Sequence, residues 1–211
     1  IITNAHAHIG EEERWLLSSY IAGNLNLSPD PSLQQWKEAI MMTITSLDMK
    51  PMNVMTIHND TYILFMIQRD LNTSINNTGV LIAFEKAGAN ESDVIWAWIS
   101  GKTFSPSDLT VKTNYSYIDN KLIVVFGREL NSTNTAFPLI IGEQYRDFIK
   151  LTSWTNATNL ESINIEELDH INLELLPYLD VYPKAPIIYS IILLLGTIGF
   201  LWLEIRRYNV K

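Results

Sequence analysis

Few residues in this chain have the types and spacing needed for chemistry. In AHAHIGEEE, His6 and His8 are two apart, so an extended backbone sets both imidazoles on one face. Such a pair suits copper or zinc, with Glu11, Glu12 or Glu13 as a third ligand. A solvated acidic patch is the alternative reading of the same stretch. The other donors are Met52, Met55, Met66, His58 and His170, and thioether and imidazole both ligate haem iron when two of them converge. Met55 and Met66 lie in apolar runs, where a flexible thioether also serves as core filler. His58-Asn59-Asp60 reads as a tight turn, which predicts an exposed His58 imidazole and leaves His170 as the histidine candidate for haem. In SDVIWAWISG, Trp96 and Trp98 point to one face of a strand and form an aromatic wall that closes a core or lines a ligand pocket. The sequence has no nucleophile elbow, phosphate-binding glycine loop or HExxH, and its acidic residues are too dispersed to nominate a catalytic pair. With no cysteine, thiolate metal sites, iron–sulfur clusters and covalently attached haem are excluded.

The elements that must position these residues are short β-like runs separated by turn signals from Ala39 to about Leu176, the pattern of an all-β sandwich. Ala39–Ser46 and Met52–Ile57 come first, and a tight connection leads into Tyr62–Gln68. Gly79–Phe84, Val94–Ile99 and Leu109–Ile118 follow. The last joins Leu122–Phe126 through Asp119-Asn120, residues that tolerate hairpin-turn geometry. Phe148–Trp154 and Ile171–Leu175 complete the set. Helical signals are few: Pro31–Ala39 reads as one short helix planting Trp36 on the core, Glu11–Ala22 as another, and Ile163–Asp169 as a brief acidic one.

The order of landmarks in residues 30–176 resembles the haem-binding domain of the ethylbenzene dehydrogenase type, a β-sandwich related to DOMON domains and family 9 carbohydrate-binding modules. The resemblance rests on PSLQQWKEA, NVMTIHNDTYILFMIQRD, NNTGVLIAFEKAG, SDVIWAWISG, NKLIVVFGREL and FIKLTSWTNATN in that order. It implies a domain that binds one b haem and carries electrons for a larger membrane-associated enzyme. It also implies a methionine ligand just ahead of a glycine and a lysine ligand after the late tryptophan strand. Here Ala87 precedes Gly88, Lys86 is one residue out of register, and Leu160 and Glu161 stand where the lysine is wanted. The resemblance places Trp96 and Trp98 on the cofactor side, where without those ligands the pair would fill an emptied pocket.

Ala185–Leu203, APIIYSIILLLGTIGFLWL, is uncharged and as a helix spans roughly 28 Å, enough for a bilayer. Arg206, Arg207 and Lys211 follow, which places the tail in the cytoplasm and the preceding chain outside. The start at Ile1 suggests a removed signal peptide. Sequons begin at Asn26, Asn59, Asn72, Asn76, Asn90, Asn114, Asn131 and Asn156, all upstream of the apolar run, where composition alone predicts about three. The net charge of −8, with only 15 Lys and Arg, excludes a nucleic-acid partner.

The expected architecture is therefore mainly β, an antiparallel β-sandwich ectodomain with one C-terminal transmembrane α-helix. Its divisions are an N-terminal segment (1–30), the sandwich (31–176), a Pro-containing connector (177–184), the membrane helix (185–203) and a cytoplasmic tail (204–211). The functional expectation is a membrane-anchored extracytoplasmic glycoprotein, an accessory or electron-transfer subunit of a respiratory or redox complex. Its expected partners are other membrane-protein subunits, the lipid bilayer and N-linked glycans, with haem b as the candidate cofactor. The alternative is a carbohydrate-binding or structural cell-surface module.

Overall fold

The computed structural model describes residues 14–71, 75–85, 92–104, 111–130, 138–156, 163–165 and 168–177. The chain divides into a compact unit, Ile1–Pro177, and a second, Tyr178–Lys211, which lies outside the described residues. Among the described residues no helix is long and apolar enough to cross a membrane.

The first unit is mainly β. Its strands are β1 (Trp15–Tyr20), β2 (Met41–Thr45), β3 (Pro51–His58), β4 (Tyr62–Asp70), β5 (Thr78–Glu85), β6 (Ser92–Ile99), β7 (Lys102–Phe104), β8 (Lys112–Ile118), β9 (Lys121–Glu129), β10 (Gln144–Thr155) and β11 (His170–Leu175). They form one large sheet in the order β7-β6-β5-β10-β11-β1-β3-β4-β9-β8, with β2 attached to β3. The sheet curls toward a barrel. Its two ends approach where Trp98 of β6 meets Tyr115 of β8, with ring centroids 4.9 Å apart, and where the Thr103 and Thr113 hydroxyls hydrogen-bond.

Not every pairing is antiparallel, as the sequence had suggested. β1 runs parallel to both β11 and β3, so it stitches the two halves of the sheet together. Glu11–Ala22 is not a helix in its described part: Trp15–Tyr20 is this strand, with Leu16 and Ser18 fully buried. Along β3, β1 pairs with the last three residues and β2 with the first five, so two strands share one edge.

Period-two alternation selects the interior. Val54, Phe65, Ile82, Trp96, Val124 and Leu173 all face one apolar core. The intervening residues are also buried, because each half of the sheet has a second cover. Residues 21–39, including Trp36, lie over Met55, Ile57, Leu64 and Met66. Ile163, Ile165 and Leu168 lie with Trp154 over Leu81, Ala83 and Ala97. Strands buried on both faces read as continuous apolar runs.

The helical expectations shrink accordingly. Among the described residues the one α-helix is Gln34–Lys37 (α1), with a 3-10 turn at Ile75–Asn77, and Trp36 of α1 packs on the outer face of the sheet rather than in the main core. The described part of Ile163–Asp169 contributes apolar cover and no α-helix. The turns obey local chemistry: Asp119 and Asn120 both have positive φ, 52° and 62°, as a two-residue hairpin between twisted strands requires.

Candidate functional site

On β6, Trp96 and Trp98 do stand on one face, and both are inside, 0% and 1% exposed. The Trp96 ring lies 4.5 Å from Phe84 of β5 and 6.5 Å from Phe65 of β4, with edge-to-face geometry that adds to simple burial. Phe148 of β10 continues the cluster, its centroid 5.7 Å from Phe84. The wall thus closes the core against the opposite half of the sheet.

Two arginines bound this interior. β4 points Ile63, Phe65 and Ile67 inward and then Arg69; β9 points Leu122, Val124 and Phe126 inward and then Arg128. The strands are antiparallel, with Ile63 opposite Arg128 and Arg69 opposite Leu122, so the guanidinium groups cap opposite ends of one core. The Arg128 guanidinium lies 5.8 Å from the Phe84 ring centre and 5.9 Å from that of Trp96, and its Nε donates to the Glu129 carbonyl at 3.1 Å. Burial pulls its pKa down to about 10, which leaves it charged at neutral pH. Arg69 donates to Ser153 Oγ of β10 at 2.6 Å and forms an ion pair with Asp48 in the β2–β3 turn. Neither arginine was picked out in the sequence as a site residue. The available signal was parity, a charge continuing the inward row of an apolar strand.

His58 corrects the expectation of an exposed imidazole. It is fully buried at the end of β3, its Nδ1 2.9 Å from Ser18 Oγ, with the Tyr20 ring 5.6 Å away. Burial lowers its pKa to about 4, outweighing the Leu176 backbone and the Asp60 carboxylate, which act the other way. Thr56 Oγ1 donates to the Leu64 carbonyl and lies 3.3 Å from Ser18 Oγ. A serine beside a neutral histidine resembles half of a nucleophilic site, but both residues are 0% exposed, so no substrate reaches them.

Of the described haem-ligand candidates, the structure brings together Met55 and Met66, neighbours across the β3–β4 pair. Trp96 and Trp98 face the interior; Met55 faces outward beneath α1 in the other apolar layer; His170 is exposed at the start of β11. Met66 lies beside Met55, its sulfur accepting from Gln68 Nε2 at 3.2 Å, while Met52 is in the main core. Met55 and Met66 share one face of the sheet, whereas two axial ligands reach a haem iron from opposite sides. Lys86, Ala87, Gly88, Leu160 and Glu161 lie outside the described residues, as do His6, His8 and Glu11–Glu13. Among the described residues no three His, Cys, Asp or Glu side chains are grouped so as to hold a metal ion.

Among the described residues, clefts open on the surface at two places. One, of about 370 Å³, lies beside the β2–β3 turn, with Ile44, Leu151 and Ile171 at its floor and the Arg14–Asp169 ion pair at its rim. The other, of about 480 Å³, is lined by Ser28, Asp30, Ser116, Asp119 and Lys121 together with Ile118 and Ile123. In the second, the Ser32 side chain and backbone N–H hold the Asp30 carboxyl below its usual range. Compared with known protein families, curated proteins and solved structures, the chain matches none.

Proposed function

We propose that this chain is a membrane-anchored extracytoplasmic glycoprotein and serves as a non-catalytic accessory subunit of a membrane-bound respiratory or redox complex. In this reading the curled sheet is a β-sandwich of the kind that binds b haem elsewhere, with the haem space given over to side chains. The observation that carries it is the order of parts: a compact β unit reaching Pro177, then the uncharged run Ala185–Leu203. The filled interior around Trp96, Phe84 and Phe65 supports a binding and positioning role over electron transfer. Purification from native membranes in detergent tests it. The expected product shows no Soret band and brings oxidoreductase subunits with it. A Soret band with split α and β bands overturns the non-haem role, and isolation without redox partners overturns the accessory role.

The second cleft favours another reading, a carbohydrate-binding module. Carboxylates, hydroxyls and a lysine around about 480 Å³ suit a small sugar's hydroxyl groups. Calorimetric titration with mono- and disaccharides separates the two: saturable binding that Asp119→Ala abolishes supports the sugar site, and no heat at millimolar sugar removes it.

A further inference from the structure

The sequons that the structure describes are not chemically equivalent. N-glycosylation replaces one hydrogen of the Asn Nδ2 with the C1 atom of a sugar and leaves the other, so the amide must be accessible and able to swing out to the donor. Asn59 does not meet that condition. Its Oδ1 accepts the backbone N–H groups of Thr61 at 2.9 Å and Tyr62 at 2.7 Å, which shapes the turn between β3 and β4. Its Nδ2 donates to the Gly23 carbonyl at 2.7 Å, tying that turn to the segment that covers the outer face of the sheet. Asn59 is half-buried, and one of the two hydrogens on its Nδ2 is committed to the Gly23 carbonyl, so a sugar there would have to be built around an amide fixed by three hydrogen bonds.

Three other sequons present the opposite picture. Asn26 is exposed, with its backbone N–H held by Gln35 Oε1 at 2.8 Å. Asn114 is exposed on β8, at one end of the strand order, and its Oδ1 accepts the Tyr115 N–H at 2.9 Å. Asn156 is exposed just past β10, at a positive φ of 60° that turns the chain out of the strand. The hydroxyl residues of the first two sequons, Ser28 and Ser116, line the same cleft, so sugars at Asn26 and Asn114 would leave from one face of the molecule.

We propose that Asn26, Asn114 and Asn156 carry N-linked glycans in the folded protein and that Asn59 is a structural turn residue left unmodified. The donor is a polyprenyl phosphate- or diphosphate-linked oligosaccharide. The C1–O bond to phosphate breaks, the Nδ2–C1 bond forms, the amide loses one proton, and the lipid phosphate leaves. The proposal rests on the extracytoplasmic reading, since that is the side on which such donors are used.

Glycopeptide mass spectrometry on the full chain from its native membranes is the test. Sugar mass is expected on the peptides bearing Asn26, Asn114 and Asn156, with an unmodified Asn59 peptide. Occupied Asn59, or three bare asparagines at 26, 114 and 156 with sugar at other sequons, overturns the assignment and leaves the extracytoplasmic reading standing. Bare asparagine at every sequon overturns both. Two variants separate the sequon from the amide. Thr61→Ala removes the sequon and is expected to leave the attached glycan mass and the thermal midpoint unchanged, while Asn59→Gln is expected to lower the midpoint by several degrees. A mass loss in Thr61→Ala equal to one glycan contradicts the proposal.

Discussion

A neutral imidazole buried beside Ser18 makes His58 a pH-dependent component of stability. Its pKa is 6.5 in the unfolded chain and about 4 in the fold. Above pH 6.5 both states are neutral and the contribution is complete; as pH falls toward 4 the unfolded chain takes up a proton that the fold refuses, and stability declines. The span corresponds to about 3 kcal/mol at most. Urea midpoints between pH 7 and 5 should therefore fall in the native chain and fall much less in His58→Gln, before most carboxylates begin to titrate; equal slopes would dismiss the assignment. The sequence placed His58 in a turn, and its main chain does lead into one. What local reading could not supply is β1, which arrives from 40 residues away with Ser18 and encloses the ring. Gly79 is a second single-residue constraint, since a Cβ there would overlap the Trp154 indole across the β5–β10 pair. Gly79→Ala should cost about 1–3 kcal/mol by overpacking, measured as a urea-midpoint shift that Trp154→Leu partly relieves.

Among the elements, the β2–β3 hairpin shows how charge organises an apolar fold. Its turn is closed by Ser46 Oγ, which donates to Asp48 Oδ1 at 2.6 Å, and by the Ser46 N–H, which donates to the Lys50 carbonyl at 2.9 Å. Asp48 then pairs with Arg69, whose side chain crosses from β4 to Ser153 on β10. The Arg69 side chain is fully buried and that of Asp48 is 22% exposed, so removing one is not equivalent to removing the other. Asp48→Ala leaves a buried uncompensated cation and should cost about 3–5 kcal/mol; Arg69→Met removes the buried charge itself and should cost clearly less. Chemical denaturation of both variants checks the order, and equal losses would mean that solvent reaches Arg69. Local signals revealed the hairpins well, because Asp119-Asn120 and the stretch from His58 to Asp60 carry turn chemistry at the right places. They shortened β10 to Phe148–Trp154, because a register shift between Tyr145 and Ile149, with Asp147 at φ 48° and its N–H held by Asn172 Oδ1, interrupts the alternation. They missed β1 because a strand clasped between two parallel neighbours has no hairpin partner in sequence.

Closure of the whole molecule depends on that same clasp. β1 is the first described strand and β11 the last; they pair through Ser18 and Leu175, and the Leu176 N–H donates to the Ser18 carbonyl at 3.0 Å just before Pro177. The β unit is therefore closed by its first and last described strands, and Leu175 is the last of the described residues in its core. The candidate site was legible to a similar degree. The Trp96 and Trp98 wall followed from a two-residue spacing, whereas Arg69 and Arg128 needed the register of β4 against β9 to be seen as the two ends of one interior. If the run Ala185–Leu203 is an anchor and contributes nothing to folding, a chain ending at Pro177 should be soluble without detergent. It should unfold in one cooperative transition, with a thermal midpoint within a few degrees of the full-length protein in detergent. The full-length chain should sediment with membranes and resist extraction by carbonate. An aggregated or non-cooperative truncated chain would show that the second unit completes the first, and release of the full-length chain by carbonate would remove the anchor.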